Sequence, residues 1–387
     1  MKHKLFYLAF SVVLASCALT PIDTFEPSNY KVLRSEDSNF FDLAKFEKDL
    51  EAYADLFFFL DKKLNFRITA LEYETVDPNG NPVMASGLVF HPLNKKSKGV
   101  MYALPIARMN GRGISTDFYT VEGLPAMVGY TVILPDLLGF GVGKGKTLSP
   151  LLMSENTGRV AYDMRRAAAQ YLWDEFNYTL PAETFIMGYS LGGSAALAVQ
   201  KYFETHHANT VKVKEVFVGG GAYDLPAAFS AFAKTEFSDY PSIPNVIMAF
   251  SHYYNLHLDF SKIFTGELLE NDKYKEWYNT CYLDTPDNNL RTYMHEDFFK
   301  PLNQQNSEFK KLQPVLIENS VSEGWRPKAP IYMTHSKDDV LAPIENAEAA
   351  LKKLRKAGAN IAFSTYTGSH EQAGMVFFVK NIFRFTL

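Results

Sequence analysis

Only two cysteines, Cys17 and Cys281, occur in the 387 residues, so no disulfide framework can organise this chain. Stability has to come from burial of apolar surface, and a chain with 47% hydrophobic and 21% charged residues is long enough to bury a sizeable core. One charge sign does not dominate either: the formal net charge is −4 and the Lys and Arg residues are scattered, which leaves no basic footprint for nucleic acid. Metal-ligand spacings and the phosphate- or dinucleotide-binding glycine fingerprints are missing, and the run Gly139, Gly141, Gly143 and Gly145 reads as a loop rather than a strand-to-helix turn. No metal and no cofactor is therefore expected. Cys281, with no Cys or His nearby at metal spacing, is expected to be buried and inert.

The stretch from Leu5 to Val13 follows Lys2 and Lys4 and is too short to span a bilayer in a mature protein, so it reads as an export signal. It is followed by Leu14-Ala15-Ser16-Cys17, which resembles the bacterial lipobox. That resemblance implies lipidation of Cys17, which would become the new N-terminus and anchor an exported lipoprotein to a membrane, at the periplasmic face or the cell surface. An ordinary signal peptide that happens to hold a Cys near its end is the alternative. Residues 18–38 are rich in Pro, Ser, Thr, Asp and Asn and are expected to form a flexible tether. Residues 40–64 turn helical in pattern, with Phe57-Phe58-Phe59-Leu60 as a core face or an exposed patch.

From Phe66 to Val76 the residues nearly alternate, Asp77-Pro78-Asn79-Gly80 makes a turn, and Val83 to Phe90 resumes, which predicts a hairpin. The Asp and Asn side chains there are explained by the turn without a calcium loop. Short apolar strands then alternate with helical segments, as parallel βαβ units do. The strands are predicted at 99–104, 130–134, 184–187, 213–218, 331–334 and 361–366, and the helices at 156–176, 192–205, 344–356 and 371–385. Two antiparallel strands and six parallel ones make eight. Between Val218 and Ile331 lie about a hundred aromatic-rich residues, too many for a crossover loop, so a small helical cap is expected there. The predicted organisation is therefore a signal at 1–17, a tether at 18–38, core at 39–221, a helical cap at 222–327 and core again at 328–387.

Within this plan, Phe185-Ile186-Met187-Gly188-Tyr189-Ser190-Leu191-Gly192-Gly193 carries an apolar strand into G-x-S-x-G and then into a helix opening. A serine at such a turn projects its hydroxyl from the sheet, and the helix N-terminus places the Leu191 N–H where an oxyanion would develop. A serine hydroxyl needs a base to take its proton and a carboxylate to orient the base, in the chain order Ser, acid, His. The strand at 331–334 runs into His335-Ser336-Lys337-Asp338-Asp339-Val340-Leu341-Ala342-Pro343, which offers Asp339, four residues before Pro343, or Asp338 as the acid. The last strand is followed by Thr367-Gly368-Ser369-His370, which makes His370 the base; His335 competes but precedes the acid. A second oxyanion donor is expected from Leu104-Pro105-Ile106-Ala107-Arg108. The common His-Gly pair is absent there and Pro105 has no N–H, so Ile106 is the expected donor and Ala107 the alternative.

Four stretches carry a family resemblance: residues 73–87, residues 129–141 with Gly129-Tyr130-Thr131-Val132-Ile133-Leu134-Pro135-Asp136, the serine elbow, and Asp339 with His370. Through them the chain resembles the α/β-hydrolases, and more narrowly the fungal secretory lipases and their bacterial relatives. The resemblance implies a mostly parallel eight-stranded sheet with helices on both faces and an inserted helical cap. It also implies a serine carboxylic-ester hydrolase, working through an acyl-serine on a lipid, glycan or other small-molecule ester. A serine peptidase of the same fold and a non-catalytic surface binding protein on that scaffold are the alternatives.

Overall fold

The computed structural model describes residues 28–39, 63–108, 112–280 and 282–386. The export signal, Cys17, Cys281, residues 18–27 of the expected tether and the helical pattern up to residue 62, with Phe57–Leu60, lie outside the described residues.

Strands β1 (Tyr30–Asn39), β2 (Asn65–Val76), β3 (Pro82–Pro92), β4 (Val100–Leu104), β5 (Thr131–Pro135), β6 (Glu183–Tyr189), β7 (Lys212–Gly219), β8 (Ile331–Ser336) and β9 (Ile361–Tyr366) form one sheet in the order β1-β2-β3-β5-β4-β6-β7-β8-β9. The β1–β2, β2–β3 and β3–β5 pairs are antiparallel, and β4 to β9 run parallel. The expected hairpin closes with Val76 opposite Pro82, and the Asp77 carboxylate accepts the N–H groups of Asn79 and Asn81, both at 2.9 Å.

The sheet has nine strands rather than the expected eight, because Tyr30–Asn39, which falls in the segment expected to be a tether, is a strand. Its residues are mostly exposed, so no hydrophobic alternation marks it. It is held instead by main-chain pairing with β2 and by polar contacts, among them Arg67 Nε to Asp37 Oδ1 at 2.7 Å and Ser35 Oγ to Thr69 Oγ1 at 2.8 Å. Charged side chains on such an edge also discourage pairing with another chain.

The central strands are continuous apolar runs because both faces of the sheet are covered. Alternate residues of β4 point to opposite sides: Val100, Tyr102 and Leu104 join one core, Met101 and Ala103 the other. Helices α1 (Ser154–Phe176), α2 (Leu191–His206) and, after the cap, one at Ile344–Lys356 cover the first face with Met164, Leu197 and Leu354. The C-terminal helix His370–Thr386 and the 3₁₀ helix Val121–Val128 cover the second, through Phe377, Ile382, Leu124 and Met127.

Between β7 and β8 the chain builds α3 (Leu225–Thr235), α4 (Ser242–Tyr253), a series of short helical turns, and α5 (Ser307–Asn319). α3 starts where Asp224 accepts the Ala227 N–H with Pro226 in the first turn, and α5 starts at Asn306, whose side chain accepts from Glu308 and Phe309. Ile247, Phe250, Trp277, Tyr293 and Leu316 give these residues an apolar core of their own. Full burial of a side chain such as Phe250 contributes roughly 1.5–3 kcal/mol. This insertion is joined to the helix Ile344–Lys356 by Asp224, whose Oδ2 meets Lys353 Nζ at 2.6 Å and also accepts from Ser322 Oγ at 2.8 Å. Numbering the two remaining helices in chain order, Ile344–Lys356 is α6 and His370–Thr386 is α7.

Candidate active site

Ser190 stands between β6 and α2 with φ 57° and ψ −128°, a left-handed backbone that a side-chain-bearing residue rarely adopts. The turn holds because its neighbours are glycine: a Cβ on Gly188 would lie 2.0 Å from the Gly192 carbonyl oxygen, and one on Gly192 would lie 2.3 Å from the Leu104 carbonyl oxygen. The Ser190 N–H donates to Gly219 O at the end of β7, at 2.9 Å.

His370, the first residue of α7, brings Nε2 to 2.8 Å from Ser190 Oγ, and its Nδ1 lies 2.7 Å from Asp339 Oδ2. A carboxylate only accepts, so Nδ1 carries the ring hydrogen and Nε2 is left to accept from the serine hydroxyl. Asp339 is buried, and its other oxygen accepts the N–H groups of Leu341 at 3.0 Å and Ala342 at 2.8 Å. These bonds fix the carboxylate plane. Asp338 is exposed and accepts the Gly368 N–H at 2.8 Å, so it braces the turn before His370 rather than touching the imidazole.

His335 is fully enclosed. Its Nε2 donates to Ala342 O at 2.6 Å and stands 3.7 Å from Asp339 Oδ2, while among the described residues its Nδ1 has no partner. Burial pushes its pKa below the usual histidine range. Tyr189, inside the elbow, donates from its hydroxyl to the His370 carbonyl at 2.6 Å, and burial pushes its phenol pKa up.

Leu191 opens α2, so its N–H has no intrahelical acceptor. The second donor that the sequence favours, Ile106, is already engaged elsewhere. The Ile106 N–H donates to Glu122 Oε1 at 2.9 Å, so that amide is already committed. Glu122 is 1% exposed and also takes Arg108 Nη1 at 3.1 Å. Burial alone would raise its pKa, but the Arg108 charge and the hydrogen bonds outweigh it and hold the carboxyl below its ordinary value. Among the described residues nothing accepts the Ala107 N–H. Neither Glu122 nor the bond from Tyr189 has a motif to announce it. Each pairs residues that only the folded sheet brings together.

Above these groups lies a cavity of about 480 Å³. Its floor includes Ser190, His370, Ile106 and Ala107, and its roof comes from Leu225, Phe229, Phe232, Ile243 and Val246 of α3 and α4, with Met375 and Phe378 on the α7 side. The lining is overwhelmingly apolar.

Sheet order, elbow and helical insertion together define an α/β-hydrolase. The secretory lipase family matches residues 107–376, and the chain belongs to that family. It is an ester-hydrolysing enzyme. Among solved structures it is similar to a Legionella pneumophila protein, with TM-score 0.75, 20% identity, and 93% of this chain and 97% of that chain covered. It is similar also to the rice cell wall degrading esterase LipA from Xanthomonas oryzae, with TM-score 0.72, 18% identity and coverage of 94% and 97%. Candida antarctica lipase A in its closed state matches with TM-score 0.62, 16% identity and coverage of 94% and 86%. No curated protein sequence matches the chain significantly.

Proposed function

We propose that the protein cleaves carboxylic esters through an acyl-serine intermediate, with Ser190 as nucleophile, His370 as general base and Asp339 as the orienting acid. The observation that carries this reading is the continuous chain Ser190 Oγ, His370 Nε2, His370 Nδ1, Asp339 Oδ2, with links of 2.8 and 2.7 Å. His370 takes the Ser190 proton as Oγ attacks the carbonyl carbon, and Asp339 stabilises the imidazolium that results. The tetrahedral oxyanion is met by the N–H groups of Leu191 and Ala107. As it collapses, His370 passes the proton to the leaving alcohol, and water then repeats the sequence to release the acid.

The apolar lining of the cavity favours an ester whose acyl part is a hydrocarbon chain, with residues 222–327 acting as the cap that shapes access. The family is one of secretory enzymes, which fits export; lipidation of Cys17 as the membrane anchor is the finer part of this reading. Among the described residues no helix is long and apolar enough to cross a membrane.

The test is turnover of p-nitrophenyl esters of rising chain length beside acetylated sugars, with Ser190→Ala as control. Ser190→Ala should reduce turnover by several orders of magnitude without unfolding the protein. Wild-type turnover in that variant would refute the nucleophile. A preference for acetylated sugars would refute the hydrocarbon acyl chain. Cys17→Ala should release the protein from the membrane fraction.

A further inference from the structure

The loop after β4 does more than close a turn. Glu122, on the 3₁₀ helix Val121–Val128, is buried beneath it and binds both ends of the tripeptide Ile106-Ala107-Arg108. Its Oε1 accepts the Ile106 N–H at 2.9 Å and Arg108 Nη1 at 3.1 Å, and its Oε2 faces Arg108 Nη2 at 3.4 Å. A buried carboxylate is costly unless paired, and this one spends its pairing on a main-chain amide at the edge of the catalytic cavity. A peptide plane turned toward Glu122 at Ile106 and a side chain drawn to the same carboxylate at Arg108 leave little freedom to the residue between them. That residue, Ala107, lines the cavity; Arg108 does not.

We propose that Glu122 and Arg108 are positioning residues of the oxyanion hole, clamping the loop so that the Ala107 N–H rather than the Ile106 N–H faces the developing oxyanion. This rests on Ser190 being the nucleophile. Arg108 has a second effect. Unpaired, the Glu122 carboxylate would stand near the oxyanion with like charge and oppose it. The guanidinium offsets that charge, although it also faces the Asp117 carboxylate, 4.0 Å from Arg108 Nε.

The clamp is tested on the full chain with Glu122→Gln, Arg108→Met and the double variant. Active serines are counted by fluorophosphonate titration, and kcat, KM and inhibition by an alkylboronic acid, which forms a tetrahedral anionic adduct, are measured. The kcat per titrated serine should fall about tenfold in Glu122→Gln and about a hundredfold in Arg108→Met, with KM nearly unchanged and boronate affinity falling in parallel. The double variant should recover part of the Arg108→Met loss, because it also removes the uncompensated carboxylate. A role in stability alone would lower the melting temperature and leave kcat per active serine and boronate affinity at wild-type values; that result overturns the clamp. Glu122→Gln is nearly isosteric and carries the test alone if Arg108→Met does not fold. Failure to label Ser190 in the unaltered protein would bring down the triad and the clamp together, whereas labelling with unaffected variants removes only the clamp.

Discussion

The Tyr189 hydroxyl donates to the His370 main-chain carbonyl at 2.6 Å, and the two rings lie 5.0 Å apart between centroids. The residue before the proposed nucleophile thus fastens the residue proposed as its base, so the end of β6 and the start of α7 are held together by more than the Ser190–His370 bond. Phe377, at 5.4 Å from the Tyr189 ring, presses on it from two turns further along α7.

Tyr189→Phe keeps the ring and removes this bond. Its net effect on stability should be about 0.5–1.5 kcal/mol, while kcat falls about three- to tenfold as the imidazole gains freedom. Steady-state kinetics with thermal melts separate the two, and an unchanged kcat would show that the ring alone positions the base.

Gly192→Ala should damage fold and activity together. Its Cβ would stand 2.3 Å from the Leu104 carbonyl oxygen, a backbone atom at the end of β4 that cannot swing away. A cost of about 1–3 kcal/mol is expected, with loss of most turnover because the Pro105–Ala107 loop must shift. Urea titration and ester hydrolysis measure both.

Ala228→Trp projects from α3 into the cavity beside Phe229 and should shorten the tolerated acyl chain. The kcat/KM for decanoate esters should drop about tenfold or more relative to acetate. Equal losses on both chain lengths would mean that the acyl chain does not occupy this part of the cavity.

Stability should decline as pH falls below about 6.5. His91, buried and bonded to Thr131 Oγ1 at 2.9 Å, has its pKa pushed down to about 4 by burial, and desolvation likewise lowers His335. These rings stay neutral in the folded state while the unfolded chain takes up protons, so folding is undisturbed above the unfolded value and weakens as pH drops from 6.5 toward 4. Each such group contributes a slope of about 1.4 kcal/mol per pH unit across its window. His91→Leu should flatten the difference between denaturation midpoints at pH 7 and pH 5; an identical pH profile in that variant would exclude His91 as a source.

Much of this protein is legible one stretch at a time. The six parallel strands are written as apolar runs, the hairpin as alternation around Asp77-Pro78-Asn79-Gly80, and the elbow as Gly188-Tyr189-Ser190-Leu191-Gly192, because burial periodicity and turn stereochemistry act between near neighbours. The approximate sites of Asp339 and His370 follow from strand ends, since parallel strands present their C-terminal loops on one side. β1 carries no such signal: an exposed edge strand is held by its pairing with β2, not by a pattern of its own. Nor could any local rule choose between Ile106 and Ala107. The Ile106 amide is taken by Glu122, sixteen residues further along the chain, whose burial demands partners and takes one from the main chain of the β4 loop. Sequence alone determined the hairpin, the parallel strands with the helices between them, and the serine turn. Only the tertiary structure decided that the Ile106 amide is bound to Glu122, because that depends on how a buried charge far along the chain satisfies its hydrogen bonds.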